Sequence, residues 1–234
     1  MKLGLSNSIN NRISDADWTP ASLSGLQAWF KNDTGLEESD TSTPEDGENI
    51  TKWTDQSSNN NDLTASSAHF TYDSATGSAE SGDGTNSQLN LDTQLNFSGE
   101  FAMYIRAAAS TISSGTNDLF FYDKDTSTID FFRIQTTTEI KVRVSGDTAQ
   151  KWAQATQVID QFYNFGWERD GSNNMYVYRD GSALTATTAI SNTSILDIDA
   201  IGGNFDGIIK EIIICNSSLS SSDRTNLQTY LNTI

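Results

Sequence analysis

The run Ile208-Ile209-Lys210-Glu211-Ile212-Ile213-Ile214-Cys215 constrains the fold of this chain more than any other stretch. It is rich in β-branched residues and too short to stand as a helix, so it reads as a buried strand. Strict alternation puts Ile208, Ile212 and Ile214 on one face with Lys210, and Ile209, Ile213 and Cys215 on the other with Glu211. A strand apolar on both faces needs cover on both sides and belongs in the middle of a sheet. The turn-forming Gly203-Asn204-Phe205-Asp206-Gly207 leads into it, and the polar Asn216-Ser217-Ser218 leads out. Ser220-Ser221-Ser222-Asp223 then has the form of a helix-capping box. Leu227, Tyr230, Leu231 and Ile234 follow at helical spacing on one face. The expected ending is a central strand followed by one amphipathic helix.

Upstream, the pattern has period two. Leu26, Ala28 and Phe30 alternate with Gln27, Trp29 and Lys31 after a Thr19-Pro20 helix-start signal. Residues 32–49 are acidic and turn-rich and read as an exposed loop. Leu89 and Leu91 point one way; Phe101, Met103 and Ile105 oppose Ala102, Tyr104 and Arg106. Further short strands are expected at 119–122, 129–134 and 152–158. In 138–144, Ile140, Val142 and Val144 point inward, with Glu139, Lys141 and Arg143 outward. Tyr163, Phe165 and Trp167 share one face, and Asp170-Gly171-Ser172-Asn173-Asn174 makes a hairpin loop to 175–179. Many short strands, regular turns and one helix imply an all-β, two-sheet antiparallel sandwich of roughly a dozen strands. No linker divides the chain, and proline occurs only at Pro20 and Pro44. One domain is expected over 18–234, preceded by an N-terminal arm over 1–17.

Charge narrows the function classes. With 31 acidic against 14 basic residues the formal net charge is −17. Such a surface repels phosphate backbones and anionic membranes, so neither nucleic acid nor membrane insertion is expected. The single cysteine, Cys215, lies inside the strand run, which points to a small buried apolar side chain and excludes an intrachain disulfide. No signal peptide or transmembrane segment is apparent.

Three segments resemble the concanavalin A-like, laminin-G-like jelly-roll family. Leu23-Ser24-Gly25-Leu26-Gln27-Ala28-Trp29-Phe30 is similar to its opening strand. Trp53-x-Asp55-x-Ser57-x-Asn59-x-Asn61-x-Leu63 resembles its W-x-D-x-S-G-N-G-N-x-L loop, with Ser58 and Asn60 in place of the usual glycines. Phe205-x-Gly207-x-Ile209-x-Glu211-Ile212-x-Ile214, with Leu219-Ser220-x-x-Asp223-Arg224, is similar to its closing strand and helix start. Tyr176-Val177-Tyr178-Arg179-Asp180-Gly181 looks like its Y-x-D-G hairpin. The resemblance implies a jelly-roll sandwich. Domains of this kind are also similar to virion structural proteins of tailed bacteriophages. That likeness implies a capsid-decoration or tail-associated protein, homo-oligomeric, contacting other virion proteins through its arm and located on the virion. Weak adhesion to a surface polysaccharide is a further expectation.

Catalytic signals are sparse. The E-x-D-x-x-E acid run of jelly-roll glucanases does not occur, and the nearest stretches, Asp197-Ile198-Asp199 and Thr128-Ile129-Asp130, lack partner acids. The lone histidine, His69, sits in a polar loop with no triad motif around it. One His and one Cys do not make a zinc site. No cofactor is expected, with calcium as the one metal whose chemistry fits: Asp118, Asp123, Asp125, Asn204 and Asp206 supply hard oxygen ligands in loops. For glycan contact the expected aromatic platforms are Trp152, in a polar run, and then Tyr122; Trp29, Trp53 and Trp167 read as core. The expectation is therefore a non-enzymatic virion protein. A calcium-assisted lectin and a glycan hydrolase or lyase are the alternative readings.

Overall fold

In a computed structural model of the chain, the described residues are 18–65, 70–81, 87–112, 118–125, 130–144, 148–187 and 192–234. The expected arm, His69 and Ile129 lie outside them. A single turn of 3-10 helix at Pro20–Ser22 opens the fold. The strands follow in chain order. First come β1 (Leu26–Phe30), β2 (Leu36–Glu37), β3 (Asn49–Ile50), β4 (Lys52–Trp53) and β5 (Leu63–Ala65). Then come β6 (Phe70–Asp73), β7 (Ser78–Ser81), β8 (Leu89–Phe97), β9 (Phe101–Ala109) and β10 (Leu119–Tyr122). β11 (Phe131–Thr136), β12 (Glu139–Arg143), β13 (Gln150–Ala153), β14 (Tyr163–Arg169) and β15 (Met175–Arg179) continue the chain. It closes with β16 (Ser182–Ala183), β17 (Thr185–Ala186), β18 (Leu196–Ile201), β19 (Gly207–Cys215) and the helix α1 (Ser221–Leu231). Of these strands thirteen are four residues or longer, in line with the dozen that the alternation implies; the rest are pairings of two or three residues, such as β2 and β3, inside and beside the acidic loop.

Two antiparallel sheets stack as a sandwich. The first runs β16-β15-β14-β9-β19-β7-β6-β3, with β1 also paired to β19; the second runs β17-β13-β12-β11-β10-β18-β8-β5-β4-β2. β19 is central as expected, between β9 and the pair β7 and β1. Its faces differ from strict alternation. A register shift between Ile209 and Glu211 places Ile209, Ile212 and Ile214 in the main core, and Ile213 and Cys215 on the opposite face with Glu211. The extra residue of a bulge shifts which face each later side chain meets. Gly207 begins the strand at φ +148, and a Cβ there would lie 2.1 Å from the Ala108 carbonyl oxygen, so only glycine fits.

The main core fills the space between the sheets. Phe120, Phe132, Phe165, Trp167 and Phe205 meet there, with ring centroids 4.9–5.8 Å apart in tilted or edge contacts. A second cluster covers the outside of the first sheet, where Trp29, Tyr104, Tyr178, Ile213 and Cys215 meet Leu227 and Leu231 of α1. The Ser220 hydroxyl accepts from the Asp223 backbone N–H at 3.0 Å, as the capping box requires. The Cys215 thiol is buried, and burial pushes its pKa up to about 12, which suits packing rather than reactivity. Among the described residues no helix is long and apolar enough to cross a membrane.

The loop after Trp53 folds around Asp55. Its carboxylate accepts from the N–H groups of Trp29, Ser57 and Asn61 at 2.8, 2.8 and 3.0 Å, and from the Ser57 hydroxyl at 2.6 Å. Asn60 takes φ +53, a left-handed position that asparagine tolerates, so the family's glycine is dispensable there.

Because Leu227 and Leu231 are fully buried, Leu227→Asp or Leu231→Asp should each cost about 3 kcal/mol or more, as an unpaired buried charge does. Thermal denaturation checks this; an unchanged melting temperature would mean that α1 does not stabilise the first sheet.

Candidate ligand-binding face

The two sheets present unequal outer faces. That of the first is closed by α1. Against that of the second, among the described residues, no helix packs. Alternation fixes what this second face displays. In β11 and β12 the core takes Phe132, Ile134, Ile140 and Val142, which leaves Phe131, Arg133, Gln135, Glu139, Lys141 and Arg143 outside. In β13 the core takes Trp152, which leaves Lys151 and Ala153 outside.

Register then does what sequence position alone does not. Arg133 lies directly opposite Lys141, and Lys141 directly opposite Lys151. Three cations from three consecutive strands therefore form one row across the sheet. At ordinary strand spacing the row spans about 10 Å. Their partners differ. Arg133 is buried and donates to Gln135 Oε1 from Nε at 3.2 Å and Nη2 at 2.7 Å, with its guanidinium 4.6 Å from the Phe131 ring centroid. Arg143 lies over the same ring at 5.2 Å. Lys151 pairs with Glu139 at 3.0 Å. Among the described residues Lys141, in the middle, has no ion-pair or hydrogen-bond partner. Its pKa is lowered, first by burial and then by Arg133, Lys151 and, more weakly, Arg143, against a small opposing pull from Glu139.

The other half of the face is acidic. An apolar strip of Leu119, Tyr122, Phe131 and Ala200 lies between the two halves. Lys124 Nζ bonds Asp199 at 2.9 Å and Asp125 at 2.8 Å. Asp130 Oδ2 accepts from the Asp197 N–H at 2.9 Å while its other oxygen is buried without a partner. Burial raises the Asp130 pKa to about 6 against the pull of the Asp197 N–H, with the Asp197 and Asp123 carboxylates adding to the rise.

The expected aromatic platforms are not open surfaces. Trp152 is 1% exposed and belongs to the main core. Its polar neighbours Lys151 and Ala153 are the outward residues, and period two turns the indole inward. Tyr122 lies on the outer side but is 6% exposed, with its hydroxyl donated to Gln88 at 2.6 Å. Trp53 and Trp167 are core, while Trp29 packs under α1 instead.

The five calcium candidates separate into three places. Asp123 and Asp125 share a tight turn, Asp125 N–H to Asp123 Oδ1 at 3.0 Å. The Asp118 N–H bonds the Asn204 carbonyl at 3.3 Å. Asp206 accepts from Thr111 at 2.7 Å. Among the described residues no group of three or more His, Cys, Asp or Glu side chains is placed to hold a metal ion.

A groove of about 470 Å3 runs between α1 and the β15–β16 hairpin and includes Tyr178, Asp180, Arg224 and Gln228. Its cation is already engaged, since Arg224 bonds the buried Glu168 carboxylate at 2.8 and 3.0 Å. The outer face of the second sheet is therefore the better candidate.

The row Arg133–Lys141–Lys151 was within reach of sequence reasoning only in part. The outward positions of Lys141 and Arg143 follow from alternation, but their opposition to Arg133 and Lys151 depends on turn lengths that composition does not set.

No protein-family model matches the chain, and no curated protein matches it in sequence. Solved structures do. A Trypanosoma rangeli sialidase, in complex with a difluorinated nononic acid, matches with TM-score 0.63 and 12% identity, covering 91% of this chain and 33% of that one. The same organism's sialidase in complex with sialic acid matches with TM-score 0.61 at 12% identity, over 91% and 34% of the two chains. A protein described as HCR/D-Sa-GBL1/C matches with TM-score 0.55 at 12% identity, over 88% and 52%. The chain spans about a third of the sialidase chains. At such identities the likeness is one of fold, that of a two-sheet antiparallel sandwich.

Proposed function

We propose that the chain is a non-enzymatic binding module of a virion, a capsid-decoration or tail-associated protein that turns the outer face of its second sheet toward surface glycans. The observation that supports this best is the inequality of the two sheets: one outer face is closed by α1, and the other displays a charged, polarised surface on a rigid scaffold. Two acids near that surface, Glu139 and Asp199, are already engaged by Lys151 and Lys124, which supports a binding role for them. The fold likeness to a sialidase solved with sialic acid lends a saccharide-related precedent to the architecture. The virion setting rests on the sequence resemblance, and the acidic surface suits an exposed particle in salt water. In this reading residues 1–17 dock the homo-oligomeric protein on its assembly.

Deleting residues 1–17 tests the setting. The truncated chain should keep its melting temperature within about 2 °C and fail to co-sediment with particles; unfolding, or undiminished co-sedimentation, would refute the docking role. Incubation of the intact chain with a polysaccharide panel should give retention without release of reducing ends, and any turnover would overturn the non-enzymatic reading.

A further inference from the structure

The row Arg133–Lys141–Lys151 works against the stability of the sheet that carries it. Residues directly opposite in an antiparallel pair lie at about 5 Å, and like charges there are destabilising. Two such oppositions occur side by side. In a chain with 31 acidic residues and 14 basic ones, a carboxylate beside each lysine would be easy to supply. Lys151 has one in Glu139, which sits beside the row on β12, two residues from Lys141 and opposite Ala153, and turns to Lys151. Lys141 makes no ion pair among the described residues and feels Glu139 more weakly than it feels Arg133 and Lys151. Burial first, and then Arg133 and Lys151, disfavour the protonated form of Lys141. A rule of sheet pairing broken at one place, on the face that α1 leaves uncovered, marks a site where an arriving group supplies what the chain withholds.

Resting on the reading of this face as a glycan-binding surface, we propose that Lys141, flanked by Arg133 and Lys151, binds the anionic substituent, carboxylate or sulfate, of an acidic saccharide. The geometry suits one such group on a sugar better than a continuous polyphosphate. The row is about 10 Å wide, and beyond the Phe131 strip the same face turns acidic with Asp197, Asp199 and Asp125. A long uniform polyanion crossing the whole face would meet those carboxylates. A saccharide with isolated charges can place one at Lys141 and lay neutral hydroxyls toward Gln135 and the polar groups around it. The two lysines differ in role. Lys151 is exposed and shared with Glu139, whereas half-buried Lys141 gains most from an anion because it has no other. Arg133 is held by Gln135 and acts as a fixed charge behind them.

The test uses the full chain and three polysaccharides of matched length, with a single-stranded polynucleotide beside them: a glucan bearing sparse uronate residues, a sparsely sulfated glucan and the uncharged glucan. Retention is measured by affinity electrophoresis at low and at physiological salt. At least one acidic polymer should be bound more tightly than the neutral one, by about tenfold, with the preference shrinking as salt rises. The uronate and sulfate arms distinguish carboxylate from sulfate. Lys141→Gln and Lys151→Gln should each weaken acidic binding by about fivefold, while Lys52→Gln, on β4 at the far edge of the same sheet, should not. A purely structural lysine would lose stability on substitution. Here Lys141→Gln relieves like-charge repulsion, so its melting temperature should stay level or rise as binding falls. Equal binding of acidic and neutral polymers, unaffected by the lysine substitutions, would overturn this inference and leave the binding-module reading standing. Absence of binding to any of the three would overturn both. Selective binding of a single-stranded polynucleotide in place of the saccharides would also overturn it.

Discussion

Replacing Glu211 by alanine should lower the unfolding free energy by about 3–5 kcal/mol and the melting temperature by about 10 °C. Glu211 is fully buried on the α1 side of β19. Its carboxylate accepts three donors from three parts of the chain: Trp29 Nε1 at 2.5 Å, Tyr230 hydroxyl at 2.6 Å and the Asn32 N–H at 2.6 Å. β1, β19 and α1 thus meet on one side chain. Alanine strands all three donors in a dry site, and the cost is mostly that of leaving them unmade. Glu211→Gln keeps one acceptor oxygen and should cost about half as much. Urea unfolding of the two variants checks the order, and a loss below about 1 kcal/mol for Glu211→Ala would show that the donors find other partners. Burial raises the Glu211 pKa, against the pull of its three donors and Lys31. A carboxyl whose folded pKa lies above its unfolded one adds stability below the unfolded value and loses it as pH rises through the folded one. Glu211→Gln should remove that falling contribution just above the ordinary glutamate range.

The place of β19, its cover by a C-terminal helix and the tight loop after Trp53 were all legible in the sequence. Each is written locally, by a β-branched run, by a capping box with leucines at helical spacing, and by Asp55 among turn formers. What was not legible depends on register. The bulge at Lys210 carries no residue signature, and it puts Ile209 on the core side with Ile212 and Ile214, away from Glu211, Ile213 and Cys215. Trp152 misleads because polar flanks suggest an exposed ring, although in a strand polar flanks imply the reverse. The cation row needs two hairpin registers at once. Lys141 is visibly outward in its own strand, but that Arg133 and Lys151 stand opposite it follows only from how the chain turns at 137–138 and returns after 144.

Arg169 shows the same division at the opposite end of the burial scale. It follows Tyr163, Phe165 and Trp167 at spacing two, so alternation places it inward, where an isolated cation is costly. The structure supplies carbonyls instead of a carboxylate. Arg169 Nε donates to Gly99 O at 2.6 Å, Nη2 to Phe97 O at 2.6 Å, and Nη1 to Ser194 O at 2.6 Å and Asn192 O at 3.4 Å. The guanidinium also lies 5.1 Å from the Phe101 ring centroid. β14 belongs to the first sheet, whereas Phe97 ends β8 and Ser194 precedes β18 in the second, so one side chain ties the two sheets at this end of the sandwich. Burial lowers its pKa, but from so high a starting value that it stays protonated. Arg169→Met should therefore cost about 3–5 kcal/mol, because it fills the space and leaves the carbonyls unpaired. Arg169→Lys keeps the charge but not the planar fork that reaches several carbonyls at once, and should recover less than half of that loss. Urea midpoints for the pair decide between fork and charge: a lysine variant as stable as the native chain would mean that charge alone holds the sheets together here, and a methionine variant as stable would mean that the carbonyls are satisfied without the arginine.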